Sequence, residues 1–125
     1  DTGPLVALLN RRDNHHAWAV ATFATLSAPL FTCEAVLTEA ARLTRAPQRL
    51  LKMVSEGTLR LELDVTRESD ALSALLAKYG PRMDLADACV VRMSELRKSC
   101  RVLTLDRHFK AYRRYGRSVI PLLTP

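Results

Sequence analysis

Arg101-Val-Leu-Thr-Leu-Asp106-Arg-His-Phe109 decides how this chain is read. The apolar run Val102 to Leu105 predicts a short strand, and Asp106 follows it, so the Asp106 carboxylate should emerge at the strand's carboxyl end. In sheets covered by helices, ligand sites form beyond that end. The other role open to Asp106 is a cap for the segment starting at His108, because Asp is a favoured capping residue.

Working outward, strand and helix signals alternate. On the amino-terminal side, a helix is expected from Asp84 to about Lys98, and before it one from about Glu68 to Tyr79, stopped by Gly80-Pro81. Leu59 to Val65 alternates apolar and polar residues, the period of a strand with one polar face. Pro47 suits the first turn of a helix ending near Gly57. Thr32 can cap a helix through Val36, Leu37, Ala40 and Leu43, and Pro29 to Thr32 is a compact strand candidate. Asp13 can cap a helix through Ala17, Val20 and Phe23 to about Leu26, and Asp1-Thr-Gly-Pro4 reads as a turn. Past Asp106, a basic helical segment from about Phe109 to Tyr115 precedes a last strand, Ser118 to Leu122. Helices alternating with short strands predict an α/β fold, a mainly parallel sheet covered on both faces.

The chain has 125 residues, 48% of them hydrophobic, which is the size of one domain, 1–125, able to bury a core. No apolar run approaches the ~18 residues that cross a bilayer, and no leader pattern is visible, so a soluble, cytoplasmic protein is expected. The absence of an initiator Met suggests numbering that begins inside a longer natural chain. Cys33, Cys89 and Cys100 show no metal-ligand spacing and read as buried free thiols.

Net charge is +6, and it is unevenly placed. Arg92 to Arg117 holds nine basic residues against Glu95 and Asp106, a local +7, so the rest of the chain sums to −1. Clustered cations of this kind gain affinity for a polyanion by neutralising phosphates, although a merely solvated face would look the same. Tyr112 and Tyr115 could stack on bases, but a core or interface place is the simpler reading; His15, His16 and His108 have no partnered spacing and read as surface or loop histidines.

Four acids carry the chemistry. Asp87 and Asp84 lie three apart at a helix start, where Asp84 suits the N-cap and Asp87 is the better ligand. Their side faces away from the stripe Leu85, Cys89, Met93 and Leu96. Glu39 falls at the edge of the stripe Val36, Leu37, Ala40 and Leu43, half-desolvated and in need of a partner, whereas Glu34 falls on the opposite side. Asp1 would occupy a turn leaving an upstream strand. Carboxylates that converge without His or Cys suit hard divalent cations.

Asp1-Thr-Gly-Pro-Leu5, Val36-Leu-Thr-Glu39-Ala40, Asp84-Leu-Ala-Asp87-Ala88 and Leu103-Thr-Leu-Asp106-Arg-His-Phe109, in this order and at these separations, resemble the PIN-domain ribonucleases, particularly the VapC-like toxins of bacterial type II toxin–antitoxin systems. The resemblance implies a three-layer α/β/α domain with a mainly parallel sheet of about five strands, the first largely ahead of Asp1. It implies Asp1, Glu39, Asp87 and Asp106 as metal-binding catalytic acids for one or two Mg²⁺ or Mn²⁺ ions, with Asp84 an accessory acid in part of such families and Thr104 supporting the site. It further implies metal-dependent hydrolysis of structured cellular RNA, an antitoxin partner and a homodimer. Arg107, Lys110, Arg113 and Arg114 are the phosphate-contact candidates. Two alternatives stand beside it: a catalytically silent PIN-like module binding RNA or protein, and a receiver-like signalling domain, which lacks the Lys it would need near the end of the chain.

Overall fold

The computed structural model describes residues 1–125. Six helices alternate with short strands: α1 (Thr2–Leu9), α2 (His16–Thr25), β1 (Leu30–Thr32), α3 (Glu34–Thr44), α4 (Pro47–Ser55), β2 (Leu59–Leu61), α5 (Val65–Tyr79), α6 (Leu85–Leu96), β3 (Val102–Leu103), β4 (Arg113–Arg114), β5 (Ser118–Val119) and β6 (Leu122–Leu123). This is an α/β fold, and its strand pairs between helix-bearing segments are parallel, as expected. β1 runs beside β2 with Leu30 opposite Leu59 and Thr32 opposite Leu61; β3 runs beside β6 with Val102 opposite Leu122. β4 and β5 form an antiparallel hairpin.

The pairing stops short of one continuous sheet. β1 and β3 do not pair with each other. An apolar slot of about 270 Å³ separates them, lined by Leu30, Phe31 and Thr32 on one side and Val102 and Leu103 on the other. Its two walls are sheet edges, and Asp1 stands at one end of the slot.

Several boundaries differ from the sequence reading, each for a local reason. Asp1-Thr-Gly-Pro4 is the start of α1 rather than a turn, because Asp1 accepts a hydrogen bond from the Thr2 N–H and Pro4 falls in the first turn, where an N–H is dispensable. The expected strand Leu59 to Val65 ends at Leu61. Asp64 caps α5 by accepting from the Thr66 and Arg67 N–H groups, which draws Val65 into the helix. Thr32 belongs to β1, and Cys33 holds the N-cap position of α3 without a side-chain bond. The basic segment is no α-helix. A 3₁₀ turn spans Arg107–Lys110, and the chain then reverses at Tyr115 and Gly116, both at positive φ, as a tight hairpin turn requires. Pro121 divides the last strand into β5 and β6, and its carbonyl accepts from the Val102 N–H.

A single core of 19 buried residues holds these elements, with Tyr112, Phe109, Leu50, Ile120 and Val36 among its largest members. Along α6 the buried face is Ala86, Cys89, Val90 and Ser94 with Ala88 and Val91, while Leu85 and Leu96 of the expected stripe are exposed. Leu43 is likewise exposed at the end of α3. Cys33 and Cys89 are buried free thiols, and Cys100 is half-buried. In α2 only Ala19 is fully buried; Phe23 packs against the core and Trp18 is half-buried. No helix is long and apolar enough to cross a membrane.

Candidate active site

A cavity of about 400 Å³ opens where α1, α3, α6 and the end of β3 meet, and Asp1, Glu39, Asp84, Asp87 and Asp106 all line it. Four separate stretches of chain therefore deliver the predicted acids to one place. The close approach of α1 to the strand end depends on Gly3: a Cβ there would stand 3.2 Å from the Leu105 Cβ.

Hydroxyl groups fix three of the acids. The Thr104 hydroxyl, fully buried, donates to Asp1 Oδ2 at 2.6 Å and accepts from the Asp106 N–H at 2.9 Å, tying together the two ends of the chain. The Thr2 hydroxyl donates to Glu39 Oε2 at 2.7 Å. The Tyr112 hydroxyl lies 3.1 Å from Asp87 Oδ2 and also bonds the Arg82 carbonyl. Asp106 caps the 3₁₀ turn by accepting from the His108 N–H at 2.9 Å, and it also lines the cavity. Asp84 is the N-cap of α6, accepting from the Asp87 N–H at 2.8 Å, and it is the most exposed of the five. Glu34 is exposed in the first turn of α3 and does not line the cavity.

Burial, helped by the neighbouring negative charge of Asp84, pushes the pKa of Asp87 up to about 6, and Tyr112 is raised by the same burial and by Asp87. The Tyr112 hydroxyl can donate to Asp87 Oδ2 or to the Arg82 carbonyl, and its bond to the carboxylate offsets part of the Asp87 rise.

The donor set is all oxygen, which suits Mg²⁺ or Mn²⁺ better than zinc or copper. In the present arrangement no three acidic, His or Cys side chains stand close enough to hold an ion. The carboxylates are instead held by the hydroxyl and amide bonds just described.

The PIN domain family matches residues 1–115. The chain belongs to the PIN domain family. Its members are generally nucleases, and the match sets aside the receiver-like alternative. No curated protein matched the chain.

The basic residues of this PIN domain divide into two groups. Arg107 and Lys110 are exposed beside Asp106. Arg113 donates to the Lys110 and Tyr112 carbonyls, and Arg114 donates to Ser94 and Lys98 carbonyls at the end of α6, so both are half-buried and occupied within the fold. Arg92 and Arg97 are paired with Glu68, Glu95 and Glu62. Four of the nine cations of the positive run are thus engaged within the molecule. Tyr112 is core, as the simpler reading had it, but with its hydroxyl on Asp87; Tyr115 bonds Glu95.

Read from the sequence, Tyr112 is a core or base-stacking residue, Asp13 a helix cap, His15 a surface or loop histidine and Thr2 without a role; the fold places all four at or beside the acids. Thr2 sits beside Asp1, where a hydroxyl next to a candidate ligand is the available signal. Tyr112 could be found only through the fold, since 25 residues separate it from Asp87. Asp13 and His15 also line the cavity from the loop between α1 and α2, and helix periodicity is silent about that.

Proposed function

We propose that this PIN domain is a Mg²⁺- or Mn²⁺-dependent endoribonuclease, a VapC-like toxin that acts on structured cellular RNA in the cytoplasm. The observation that carries this reading is the convergence of Asp1, Glu39, Asp87 and Asp106, from four segments, on one cavity. Asp87 and Asp106 would hold the cation with Asp1 and Glu39, and Asp84 would remain an accessory acid and helix cap. A bound divalent ion would acidify a coordinated water and take up charge on the attacked phosphate. The chain's own part is to present carboxylates already oriented by Thr104, Thr2 and Tyr112, and to hold the RNA backbone with Arg107 and Lys110. The VapC-like role adds a homodimer and an antitoxin whose segment covers the acidic cavity.

A second reading is a catalytically silent module that binds RNA or protein, favoured by the lack of three carboxylates close enough to hold an ion. One assay separates the two. Purified protein is incubated with structured and single-stranded RNA in Mg²⁺, Mn²⁺ or chelator, beside Asp87→Asn. The nuclease reading expects metal-dependent cleavage that falls roughly a hundredfold or more in the variant, about 2.7 kcal/mol of barrier. Cleavage unchanged in Asp87→Asn would remove the proposed site, and no cleavage by either protein would favour the silent module.

A further inference from the structure

Beyond the carboxylates, the acidic cavity has a second wall that the charge distribution along the sequence does not reveal. The loop Asn10–His15 between α1 and α2 borders it through Asp13 and His15. This loop is built rather than loose. The Arg12 N–H donates to Asn10 Oδ1 at 3.1 Å, the His15 N–H donates to Asp13 Oδ1 at 2.8 Å, and the Arg49 guanidinium holds the Leu9 carbonyl at 3.2 Å. On the far side of the loop, His16 Nδ1 lies 2.7 Å from the Ala7 carbonyl.

Arg11 and Arg12 project from this fixed loop. Both are exposed, neither is within 4.0 Å of a carboxylate in an ion pair, and neither guanidinium makes a hydrogen bond. They precede His15 by four and three residues, so both Cα atoms lie within roughly 15 Å of it at ~3.8 Å per Cα step. Arg107 and Lys110, also exposed and unpaired, follow Asp106, another residue of the cavity lining. Cations therefore adjoin the carboxylates on two separate segments of the chain. A polyanion laid over the carboxylates is attracted by both segments and repelled by the acids, which places one phosphate at the carboxylates only when their charge is compensated.

We propose that the Asn10–His15 loop is the second wall of the nucleic-acid groove: Arg11 and Arg12 hold RNA backbone phosphates, and His15 contacts the nucleotide lodged against the carboxylates. The proposal rests on the ribonuclease reading and adds to it a basic segment separate from Arg107 and Lys110. His15 carries no side-chain hydrogen bond within the fold, so its ring is free to bond or stack on that nucleotide.

The test measures binding apart from cleavage. Affinity for a fluorescein-labelled stem–loop RNA is measured in chelator at several salt concentrations, for the wild type, for Arg11→Gln/Arg12→Gln, for His15→Ala, and for Arg60→Gln/Arg67→Gln, a control pair outside the cavity lining. Melting temperatures of all variants should match the wild type, because the bonds that shape the loop use backbone atoms at these positions. The loop pair should bind about tenfold more weakly, and its log Kd should depend less steeply on log salt, by about 0.7–0.9 for each lost contact. The control pair should change by less than about twofold. In Mg²⁺ or Mn²⁺, His15→Ala should raise KM with a smaller effect on kcat, since it acts on binding and not on the acids. Wild-type affinity and salt slope in the loop pair would overturn the proposal while leaving the nuclease intact, provided the wild type cleaves and Asp87→Asn does not. A wild type that neither binds nor cleaves RNA would overturn both.

Discussion

Two cavities meet at Asp1, and they are built on opposite principles. The acidic cavity is crowded with charge, yet its main carboxylates each have a partner: Thr104 for Asp1, Thr2 for Glu39, Tyr112 and the Asp84 amide for Asp87, the His108 amide for Asp106. The apolar slot holds few polar groups, and one of them, the buried Thr32 hydroxyl, has no partner. An unpaired buried hydroxyl costs free energy, whereas a bonded carboxylate at a cavity rim costs little. The contrast separates a surface organised for a polar ligand from the interior of a sheet whose edges stand apart.

That contrast makes demands on particular side chains, and the largest falls on Thr104. Thr104→Val keeps the shape but removes the hydroxyl that serves both Asp1 and Asp106. It should cost about 1–3 kcal/mol in urea unfolding and weaken Mn²⁺ binding, while Thr104→Ser should recover most of both. If Val behaved like the wild type, the acids would not be positioned by this bond.

A smaller effect concerns Asp87 and pH. Its folded pKa lies near 6, above the ordinary 3.8, so the folded state holds the proton more tightly than the unfolded chain. Stability is therefore greatest below the ordinary value and declines as pH rises through about 4 to 6, the reverse of a salt-bridged carboxylate. Asp87→Asn carries no such penalty. In metal-free buffer at pH 7.5 it should melt roughly 2–5 °C higher than the wild type, with the gain gone by pH 4. Millimolar Mg²⁺ or Mn²⁺ should raise the wild type's Tm and leave the variant's unchanged, because a ligand stabilises only the state that binds it.

The smallest effect probes the slot. Thr32→Val removes a hydroxyl that bonds nothing, and a β-branched residue of the same shape suits β1. Stability should stay the same or rise by up to about 1 kcal/mol, read by urea unfolding. A loss comparable with that of Thr104→Val would mean that the slot is as polar in its requirements as the acidic cavity.

How much of this could be read beforehand varies along the chain. The short strands at Leu30–Thr32 and Val102–Leu103 and the capping box of Asp84 and Asp87 follow from spacing alone, since turns, caps and apolar runs are local. The first strand of the hairpin, Arg113–Arg114, falls in the segment Phe109 to Tyr115 expected as helix, because its basic residues carry no period, whereas Ser118–Val119 is strand as expected. Tyr115-Gly116 was the turn signal, and Glu95, from α6, holds Tyr115 there. Arg113 and Arg114 counted toward the positive run although their guanidinium groups cap carbonyls. Arg11 and Arg12 lie outside the basic run, in the remainder of the chain that sums to −1, so charge distribution does not single them out.

By itself the sequence determined where most helices and the strands at Leu30–Thr32 and Val102–Leu103 lie, and which acids are candidate ligands, because caps, turns and apolar runs are set by neighbours a few residues apart. Only the tertiary structure decided that a threonine at 104 would bond an aspartate at 1, that Tyr112 would press a hydroxyl on Asp87, and that an arginine loop would border the acids. Those contacts join residues 25 to 103 positions apart or on different walls of one cavity, and packing of the core, not local propensity, brings them within reach.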